Sequence, residues 1–557
     1  MSFASIPPLP LNRSSGTPNR PLYGSPFAIA AALVVTALIT AAYQDNPLVL
    51  RAISDPAGES FLRVLAIAVI RDVARFPLVQ FRLVASRPDT WAPIAAISLT
   101  FASIWILGRR RGTPISILSI ENALGIGSSA ALVWWILRGG AFDWTQHDWP
   151  KEWAYFSGWR DALQAGQLPW LMRSGFQGTD QFLANPETLL GPQTVLLLWL
   201  PVPAFVVLNA VAYAVAGLLG IARLAREHKL DSMSTFALML LFVANGQVAG
   251  HLTVGHVQWA AYFLLPFLFL FLAREAAGAG PSDANAAGLG LTFGGMLATG
   301  GWHVFVWSLL FAGIFSLANR RWRFGMALAM FTVGISAFRV IPGLMVFGGG
   351  NNQFVGGFAD VFAFIGALIG TSPVALNDLS WWEYDTFIGW VGFVAVAVGC
   401  TSTRARSGAV HALWLPSLAL IVLSMGSYYE STLFHLPPFN SERVVSRLAV
   451  VGVLGLLLIG LKEISAWRAD PPSAAREMTI AAAAFLLAAQ LMIRAEAIRP
   501  EAAIVQWPSG GDGFKPLSPD NAYVVAVATG VVISALAAAY AARLLMRRSR
   551  FTRALAD

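Results

Sequence analysis

An acidic and aromatic stretch follows directly after an apolar run in the first third of the chain. It reads GGAFDWTQHDWPKEW over residues 139–153. A carboxylate just beyond a helix end can accept a proton, and aromatic rings at that depth can hold a sugar ring or a lipid headgroup. Asp143 is therefore the first candidate for a general base, and Asp148 is the alternative. Trp144 and Trp149 are candidates for contact with a substrate.

These assignments have simpler alternatives. Asp143 could equally be an ordinary loop carboxylate or a helix cap. Asp143, His147 and Asp148 are close enough in sequence to share a metal ion, but no regular element fixes their geometry. We therefore predict that the protein holds neither a metal ion nor another cofactor.

Basic residues that could balance a negatively charged substrate lie further along the chain. Arg339 stands inside an apolar segment, where an unpaired charge is costly. Arg443 and Arg447 are four residues apart, which predicts that they share one helix face. His251 and His256 flank a short turn beside another apolar segment. All five residues are candidates for substrate binding.

Each of these residues also has a purely structural interpretation. Arg339 could be paired with a buried acid for folding alone, and Arg443 and Arg447 could anchor a helix at lipid headgroups. The histidines could simply complete hydrogen bonds within a turn. Glu383 is a further, acidic candidate for substrate binding, with Asp385 two residues beyond it.

The composition indicates which elements position these side chains. The chain has 557 residues, of which 56% are hydrophobic and only 12% are charged. A soluble protein of this length does not cover its surface with so few charges, so lipid must surround most of the chain. This excludes a secreted enzyme, a nucleic-acid-binding protein and a disordered scaffold. The single Cys400 excludes an internal disulfide.

Apolar segments long enough to cross a bilayer recur along the chain. About fourteen helices are predicted on this ground. They lie near residues 25–44, 92–108, 116–137, 203–223, 233–250, 257–273, 287–300, 303–318, 324–345, 386–402, 408–424, 448–463, 478–496 and 521–545.

Short clusters of positive charge separate these spans on one side and account for the net charge of +8. Such clusters are typical of cytoplasmic loops, so both termini are predicted to be cytoplasmic. The opposite face then carries the large loops, at residues 45–91, 138–202, 346–385, 425–447 and 497–520. All candidate residues lie in these loops or at span ends beside them.

The first of these loops contains a predicted amphipathic helix over residues 60–87. Arg71, Arg75 and Arg82 project from one side of this helix, and apolar residues fill the rest. The pattern is typical of an interfacial helix on the outer leaflet. A helix packed against the rim of the protein would show the same pattern.

Several short motifs occur in a fixed order, and all of them are predicted to face outward. They are Asp143-x-x-Gln146-x-x-x-Pro150, Gly166-x-Leu168-Pro169-Trp170, Gly175-Phe176-x-Gly178, Asn185-Pro186 with Gly191-Pro192, Gly250-His251 with Gly255-His256, Arg339-x-x-Pro342, Glu383-Tyr384 to Gly389, and Leu436-Pro437-Pro438-Phe439 before Arg443 and Arg447. Together these motifs resemble those of YfhO-like membrane proteins, which belong to the GT-C class of glycosyltransferases. The resemblance covers roughly residues 138–465.

This resemblance implies a multi-pass fold whose outer loops form a cavity above the membrane. It also implies a polyprenyl-phosphate-linked sugar as the donor and an acidic residue of the first outer loop as the catalyst. By match to the motif, the catalyst would be Asp143, with Asp148 as the nearby alternative. The sequence departs from the family at its N-terminus, where additional spans and the interfacial helix precede the matching loop.

The predicted fold class is an all-α polytopic membrane protein, with a GT-C-like bundle of about 12–14 transmembrane helices and large extracytoplasmic loops. Residues 1–24 are predicted to be a disordered cytoplasmic tail, and residues 25–115 to be extra transmembrane helices with the interfacial helix. Residues 116–465 would form the GT-C-like core. Residues 466–557 would add C-terminal transmembrane helices and a basic cytoplasmic tail.

The predicted function is that of a glycosyltransferase in a bacterial plasma (inner) membrane. It would move a sugar from a polyprenyl-phosphate donor to a glycan, lipid or protein acceptor on the outer face, with no nucleic-acid partner. Asp143 would take the proton of the acceptor hydroxyl, while Arg339, Arg443 or Arg447 would stabilise the departing lipid phosphate. The alternatives are a lipid or solute transporter and a non-catalytic protein of cell-envelope assembly.

Overall fold

The computed structural model describes residues 91–110, 119–171, 181–347, 353–370, 380–468, 474–498 and 519–554. These ranges are almost entirely helical and contain no β-strand, apart from an isolated bridge between Gly356 and Val444. The prediction of an all-α polytopic membrane protein is thereby confirmed. The predicted span at 25–44 and the predicted interfacial helix at 60–87 lie outside the described residues.

The α-helices of the described ranges are numbered here in chain order. They are α1 (Trp91–Arg110), α2 (Ile120–Ile136), α3 (Trp149–Gln164), α4 (Val202–Glu227), α5 (Ser232–Val243), α6 (Gly246–Thr253), α7 (Leu265–Ala276), α8 (Ser282–Ala298), α9 (Trp302–Ala318), α10 (Trp322–Phe347), α11 (Val361–Ile369), α12 (Gly389–Cys400), α13 (Arg404–Ser407), α14 (Trp414–Leu423), α15 (Ser427–Thr432), α16 (Ala449–Arg468), α17 (Ala474–Ile498) and α18 (Asn521–Ala554).

Short 3₁₀ helices extend or connect these elements. They are Arg138–Gly140, Phe182–Ala184, Pro192–Leu198, Val257–Leu264, Trp381–Glu383, Gly408–Leu413, Phe439–Ser441 and Val445–Leu448. Most of them lie in the loops predicted to face outward, so these loops have regular local structure.

Seven helical segments of the described ranges are long and apolar enough to cross a membrane. They are Val202–Glu227, Ser232–Thr253, Val257–Ala276, Trp322–Val346, Val445–Trp467, Met478–Ile498 and Asn521–Arg547. Shorter apolar helices pack beside them, at Pro93–Leu107, Trp302–Ala318, Gly389–Cys400 and Gly408–Leu423. Apart from the first, every span predicted from hydropathy coincides with helical structure, although not every one has full membrane-crossing length.

Helices α12 and α16 show how the bundle packs tightly. A Cβ atom on Gly399 would lie 2.2 Å from the carbonyl oxygen of Leu456, and one on Gly460 would lie 1.8 Å from that of Ala395. The two backbones therefore touch where side chains are absent. Small residues at a helix crossing allow this close approach, which favours association within a membrane.

At one end of the bundle, the positive residues that follow α4 and precede α10 lie close together. Arg274 Nε donates to Glu227 Oε2 at 2.7 Å, which ties α7 to α4. Arg321 donates to the carbonyl of Ala276 at 3.3 Å, which adds the start of α10. The prediction that these clusters share one side agrees with this packing, and the assignment of that side to the cytoplasm stays a prediction.

The other end, called the outer end from here on, carries the loop of residues 138–202. Between α2 and α4 this loop folds around α3, which the sequence analysis did not predict. Its aromatic side chains form a separate hydrophobic core, which includes Phe142, Tyr155, Trp159 and Phe182. A rigid platform therefore covers the helix ends at this side.

Candidate functional site

The start of α3 is joined to the end of α6 by two hydrogen bonds. The Asp148 amide donates to the carbonyl of Val254 at 3.1 Å, and Trp149 Nε1 donates to that of Thr253 at 3.1 Å. Gly255 has φ +97°, and a Cβ there would lie 2.7 Å from the Trp149 nitrogen. Only glycine accepts both the positive φ and this close approach. The contact places Asp148 beside the helix that carries His251.

The carboxylate of Asp148 is held on one side and open on the other. Its Oδ2 lies 3.1 Å from His256 Nε2 and 3.1 Å from Lys151 Nζ. Its Oδ1 makes no hydrogen bond with any residue of the described ranges, and 43% of the side chain is exposed. The His256 hydrogen bond, followed by the charge of Lys151, holds the pKa of Asp148 well below its usual range.

Lys151 joins three carboxylates although its own side chain is nearly buried. Its Nζ lies 3.1 Å from Asp148, 3.0 Å from Glu187 Oε2 and 3.8 Å from Glu152 Oε1. Burial disfavours the ammonium charge, but the three carboxylates outweigh this effect and keep the pKa of Lys151 above its usual range. Lys151 therefore carries a permanent positive charge at this point.

Glu152 differs from the other carboxylates because it is fully buried. Its Oε1 has no hydrogen-bond partner within the described part of the chain. Burial, reinforced by the charges of Glu187 and Asp148, raises the pKa of Glu152 to about 8, although Lys151 acts in the opposite direction. This carboxyl is therefore largely protonated at neutral pH.

The protonation of Glu152 should make stability fall as the pH rises. Between the ordinary pKa of 4.5 and about pH 8 the folded protein keeps a proton that the unfolded chain releases. The folded state binds more protons in this window, so the free energy of unfolding decreases with pH. The Glu152→Gln variant should lose this decrease, as measured by thermal unfolding monitored with tryptophan fluorescence.

Glu430 provides the matched control for this experiment, because it undergoes the same chemical change but is exposed. Glu430→Gln should keep the pH dependence of the wild type. An equal pH dependence in wild-type protein and Glu152→Gln would contradict a protonated Glu152.

His251 and His256 contact each other directly across the short turn that separates them. Their Nδ1 atoms are 2.5 Å apart, and the rings are stacked with centroids 4.8 Å apart. His251 is fully buried and stacks on Trp259 with a centroid distance of 3.8 Å. Its Nε2 lies 2.9 Å from Gln247 Nε2.

Glu383 and Arg447 form a two-point ion pair next to these histidines. Arg447 Nε lies 2.5 Å from Glu383 Oε2, and Nη2 lies 2.7 Å from Oε1. Glu383 Oε2 is also 4.0 Å from His251 Nε2. Burial works against ionisation of Glu383, but Arg447 lowers the pKa of its carboxyl. The guanidinium fork of Arg447 is therefore occupied by a protein carboxylate.

A second acid–imidazole pair completes the set. His303 Nδ1 lies 3.0 Å from Glu442 Oε1, and Trp307 Nε1 donates to Glu442 Oε2 at 2.7 Å. Glu442 is 1% exposed, whereas His303 is partly open. Burial works against ionisation of Glu187, but the neighbouring Lys151 lowers the pKa of its carboxyl.

We call this group of residues the outer charged cluster. It consists of Asp148, Lys151, Glu152, Glu187, His251, His256, His303, Glu383, Glu442 and Arg447. It combines a partly exposed carboxylate, three imidazoles and permanent cations at the end of a membrane bundle. Such a carboxylate can accept a proton from a hydroxyl group, and the cations can balance the charge of an anionic substrate.

Asp143, the first candidate for the base, does not belong to this cluster. Its Oδ1 accepts hydrogen bonds from the amide of Thr145 at 2.8 Å and from the Thr145 hydroxyl at 2.6 Å. These bonds close a local turn and lower the pKa of Asp143. The local turn corresponds to the simpler interpretation of Asp143.

Arg339 does not face an open site either. The side chain is 1% exposed, and its guanidinium donates to the carbonyl oxygens of Asn185 at 2.6 Å and Leu297 at 3.2 Å. It also donates to the Thr188 hydroxyl at 3.1 Å and to the Thr188 carbonyl at 2.5 Å. Arg339 therefore clamps the outer loop to the end of α8.

Arg443 and Arg447 do not share a helix face, contrary to the spacing argument. Residues 442–444 precede the 3₁₀ turn Val445–Leu448, and the carbonyl of Arg443 accepts bonds from the amides of Val355 and Gly356 at 3.0 and 3.2 Å. Arg443 therefore lies outside the helix, and only Arg447 is part of it. Arg443 is exposed and forms no ion pair with the described residues.

Trp144 and Trp149 are buried, so they do not offer ring faces to a substrate. Trp144 is 0% and Trp149 2% exposed, and their centroids are 4.9 Å apart. Both belong to the aromatic core of the outer loop, where the Phe142 ring stacks on Trp144 and packs at an angle against Trp149. Their role there is to position the start of α3.

Several residues of the cluster were missed in the sequence. Lys151 follows Asp148 by three residues at a helix start, and this i, i+3 spacing was a usable signal. Glu187 lies within a recognised motif. His303 and Glu442 are 139 residues apart, and no pattern along the chain connects them.

The chain matches no protein-family model and no curated protein sequence. Within the described residues, no group of three His, Cys, Asp or Glu side chains is arranged to hold a metal ion.

Proposed function

We propose that this protein is a membrane glycosyltransferase of the GT-C class. It would transfer a sugar from a polyprenyl-phosphate donor to an acceptor on the outer face of a bacterial inner membrane. The observation that supports it is the carboxylate of Asp148, which is anchored through Oδ2 and open at Oδ1 at the outer end of a polytopic bundle. The motif resemblance to YfhO-like proteins supports the same reaction class.

In this proposal Asp148 acts as the general base. The acceptor hydroxyl gives its proton to Asp148 Oδ1, and its oxygen attacks the anomeric carbon of the donor sugar. The bond from that carbon to the phosphate oxygen breaks, and the electron pair leaves with the lipid phosphate. Attack opposite to the leaving group inverts the anomeric configuration. His256 and Lys151 hold Oδ2, so the open oxygen has a defined direction.

Arg443 is the arginine best suited to the departing phosphate. The Nη1 and Nη2 groups of Arg339 donate to buried groups of the outer loop and α8, and Arg447 is paired through two bonds with Glu383. Arg443 is exposed and has no carboxylate partner within the described ranges. A guanidinium binds phosphate through two parallel hydrogen bonds and keeps its charge at every relevant pH.

The test is transfer by the purified protein in lipid nanodiscs, supplied with radiolabelled polyprenyl-phosphate sugars and membrane acceptors. We expect release of lipid phosphate together with labelled product. Arg443→Gln should raise the donor KM about tenfold or more, because a charged hydrogen bond is lost. Arg543→Gln, which changes an exposed arginine at the opposite end, should leave the donor KM unchanged.

The alternatives give different results in the same material. Movement of intact labelled lipid across proteoliposomes, without release of lipid phosphate, would show a transporter instead. If neither transfer nor movement occurs with any donor, the protein is not an enzyme of this class, and a role in envelope assembly becomes the better explanation.

A further inference from the structure

We propose that Gln247 is a positioning residue that orients Asp148 through a series of hydrogen bonds. In this hydrogen-bond chain the donor and the acceptor of each contact are determined. The chain runs from Gln247 Nε2 to His251 Nε2 at 2.9 Å, from His251 Nδ1 to His256 Nδ1 at 2.5 Å, and from His256 Nε2 to Asp148 Oδ2 at 3.1 Å. The importance of the chain for transfer rests on the proposed function. The order of donors and acceptors along the hydrogen-bond chain follows from the contacts alone.

The inner end of the chain is determined by the carbonyl of Trp382. Gln247 Nε2 lies 3.2 Å from this oxygen, which can only accept a hydrogen bond. The amide nitrogen, and not the amide oxygen, must therefore face Trp382. The second amide hydrogen is then directed at His251 Nε2, which must carry a lone pair.

The outer end is determined independently by the carboxylate of Asp148. An ionised carboxylate only accepts hydrogen bonds, so His256 Nε2 must carry a hydrogen where it meets Oδ2. Lys151 donates to the same oxygen, which keeps the carboxylate ionised. A neutral His256 with a hydrogen on Nε2 has a lone pair on Nδ1.

The contacts of Gln247 and of Asp148 lead to the same hydrogen position at the central contact between His251 and His256. A neutral His251 with a lone pair on Nε2 carries its hydrogen on Nδ1, and His256 Nδ1 is free to accept it. One hydrogen therefore lies between the two Nδ1 atoms, which contact each other directly. With a hydrogen on both nitrogens the donors would collide, and with none the lone pairs would repel.

The chain links the rigid bundle to a residue in the outer loop. Gln247 and His251 are buried one turn apart on α6, and the Trp259 ring covers His251. The contact of Gln247 thus determines which ring nitrogens of His251 and His256 carry hydrogens. His256 Nε2–H then donates to Asp148 Oδ2 and holds it in place. The other oxygen of Asp148 is left to receive the acceptor hydroxyl.

The direct test is the position of the imidazole hydrogens, read by solid-state NMR of protein labelled with ¹⁵N-histidine in lipid. Signals are assigned by their loss in His251→Gln and His256→Gln. We expect His251 to carry its hydrogen on Nδ1 and His256 on Nε2. The opposite pair of tautomers, or two doubly protonated rings, would overturn the inference without any variant at Gln247.

Gln247→Glu tests the origin of the direction. At a pH where the introduced carboxyl is ionised it only accepts, so His251 Nε2 should become protonated, and the nitrogen spectrum should show that change. Gln193→Glu is the matched control, because Gln193 lies on the outer loop and contacts Asn209 and Tyr213 instead. An unchanged His251 signal in Gln247→Glu would overturn the role of Gln247.

Transfer measurements separate this inference from the proposed function. His256→Leu should lower kcat about 100-fold, because a misdirected carboxylate loses the reactive geometry. His256→Gln, whose amide nitrogen can replace the Nε2 donor, should recover most of that loss. Equal kcat values for the two variants would contradict positioning by His256. If wild-type protein shows the expected tautomers but no transfer, the proposed glycosyltransferase function is refuted. The inferred hydrogen-bond chain from Gln247 to Asp148 would still hold.

Discussion

Replacing Asp148 with asparagine should reduce sugar transfer by about 100-fold or more, with the protein folded and inserted. A positioned general base contributes roughly 10²–10⁴ in rate, and an amide oxygen of the same shape accepts a hydrogen bond but not the proton. Asparagine can still accept from His256 and Lys151, so the surroundings of the side chain should persist. The measurement is kcat with a polyprenyl-phosphate sugar in nanodiscs.

Asp143→Asn is the matched control for this variant. Both aspartates lie in the same outer loop, but Asp143 only closes a turn with Thr145. We expect Asp143→Asn to keep nearly wild-type kcat. Loss of transfer in Asp143→Asn alone would return the role of the base to Asp143, as the motif resemblance implied. Wild-type rates in both variants would exclude either residue as the base.

Replacing Arg339 with methionine should destabilise the protein by about 3 kcal/mol or more. The change leaves buried carbonyls of the outer loop and of α8 without their donor, including those of Asn185, Thr188 and Leu297. Each unsatisfied buried acceptor costs about 1–3 kcal/mol, and part of this cost is relieved by relaxation. Thermal unfolding can be followed by the exposure of Cys400, the sole cysteine, to a fluorogenic thiol reagent.

Arg443→Met provides the contrast, since it is the same substitution at an exposed arginine. We expect Arg443→Met to unfold near the wild-type temperature and to impair donor binding. Arg339→Met should unfold at a lower temperature and should not impair donor binding. An Arg339→Met protein with wild-type thermal stability and a raised donor KM would show that Arg339 binds phosphate after all.

The transmembrane helices were predictable because each is determined by its own composition. A span must bury its backbone polar groups in internal hydrogen bonds, and this requirement produces a continuous apolar run in the sequence. The segments near 203–223 and 448–463 coincide with α4 and α16 for this reason. The helix α3 was not predicted because it lies in a polar loop. Its buried face is determined by the aromatic residues that pack against it in the folded protein.

The candidate site, in contrast to the transmembrane helices, could be predicted only in part. The sequence placed Asp148, His251, His256 and Glu383 among the candidates, because charged and imidazole groups are rare in this chain and stand at span ends. It could not rank Asp148 above Asp143, which is five residues away. The ranking depends on which carboxylate meets His256 across the turn at Gly255.

By itself, therefore, the sequence determined that this is a polytopic helical membrane protein and which segments form its bundle. Its low charge content and apolar runs are local properties that act through the solvation of each segment. Only the tertiary structure decided that Arg339 is a clamp, that Trp144 and Trp149 are core, and that the outer charged cluster is assembled around Asp148. These roles depend on contacts between distant segments, because a charge is open or occupied according to the partner that folding brings to it.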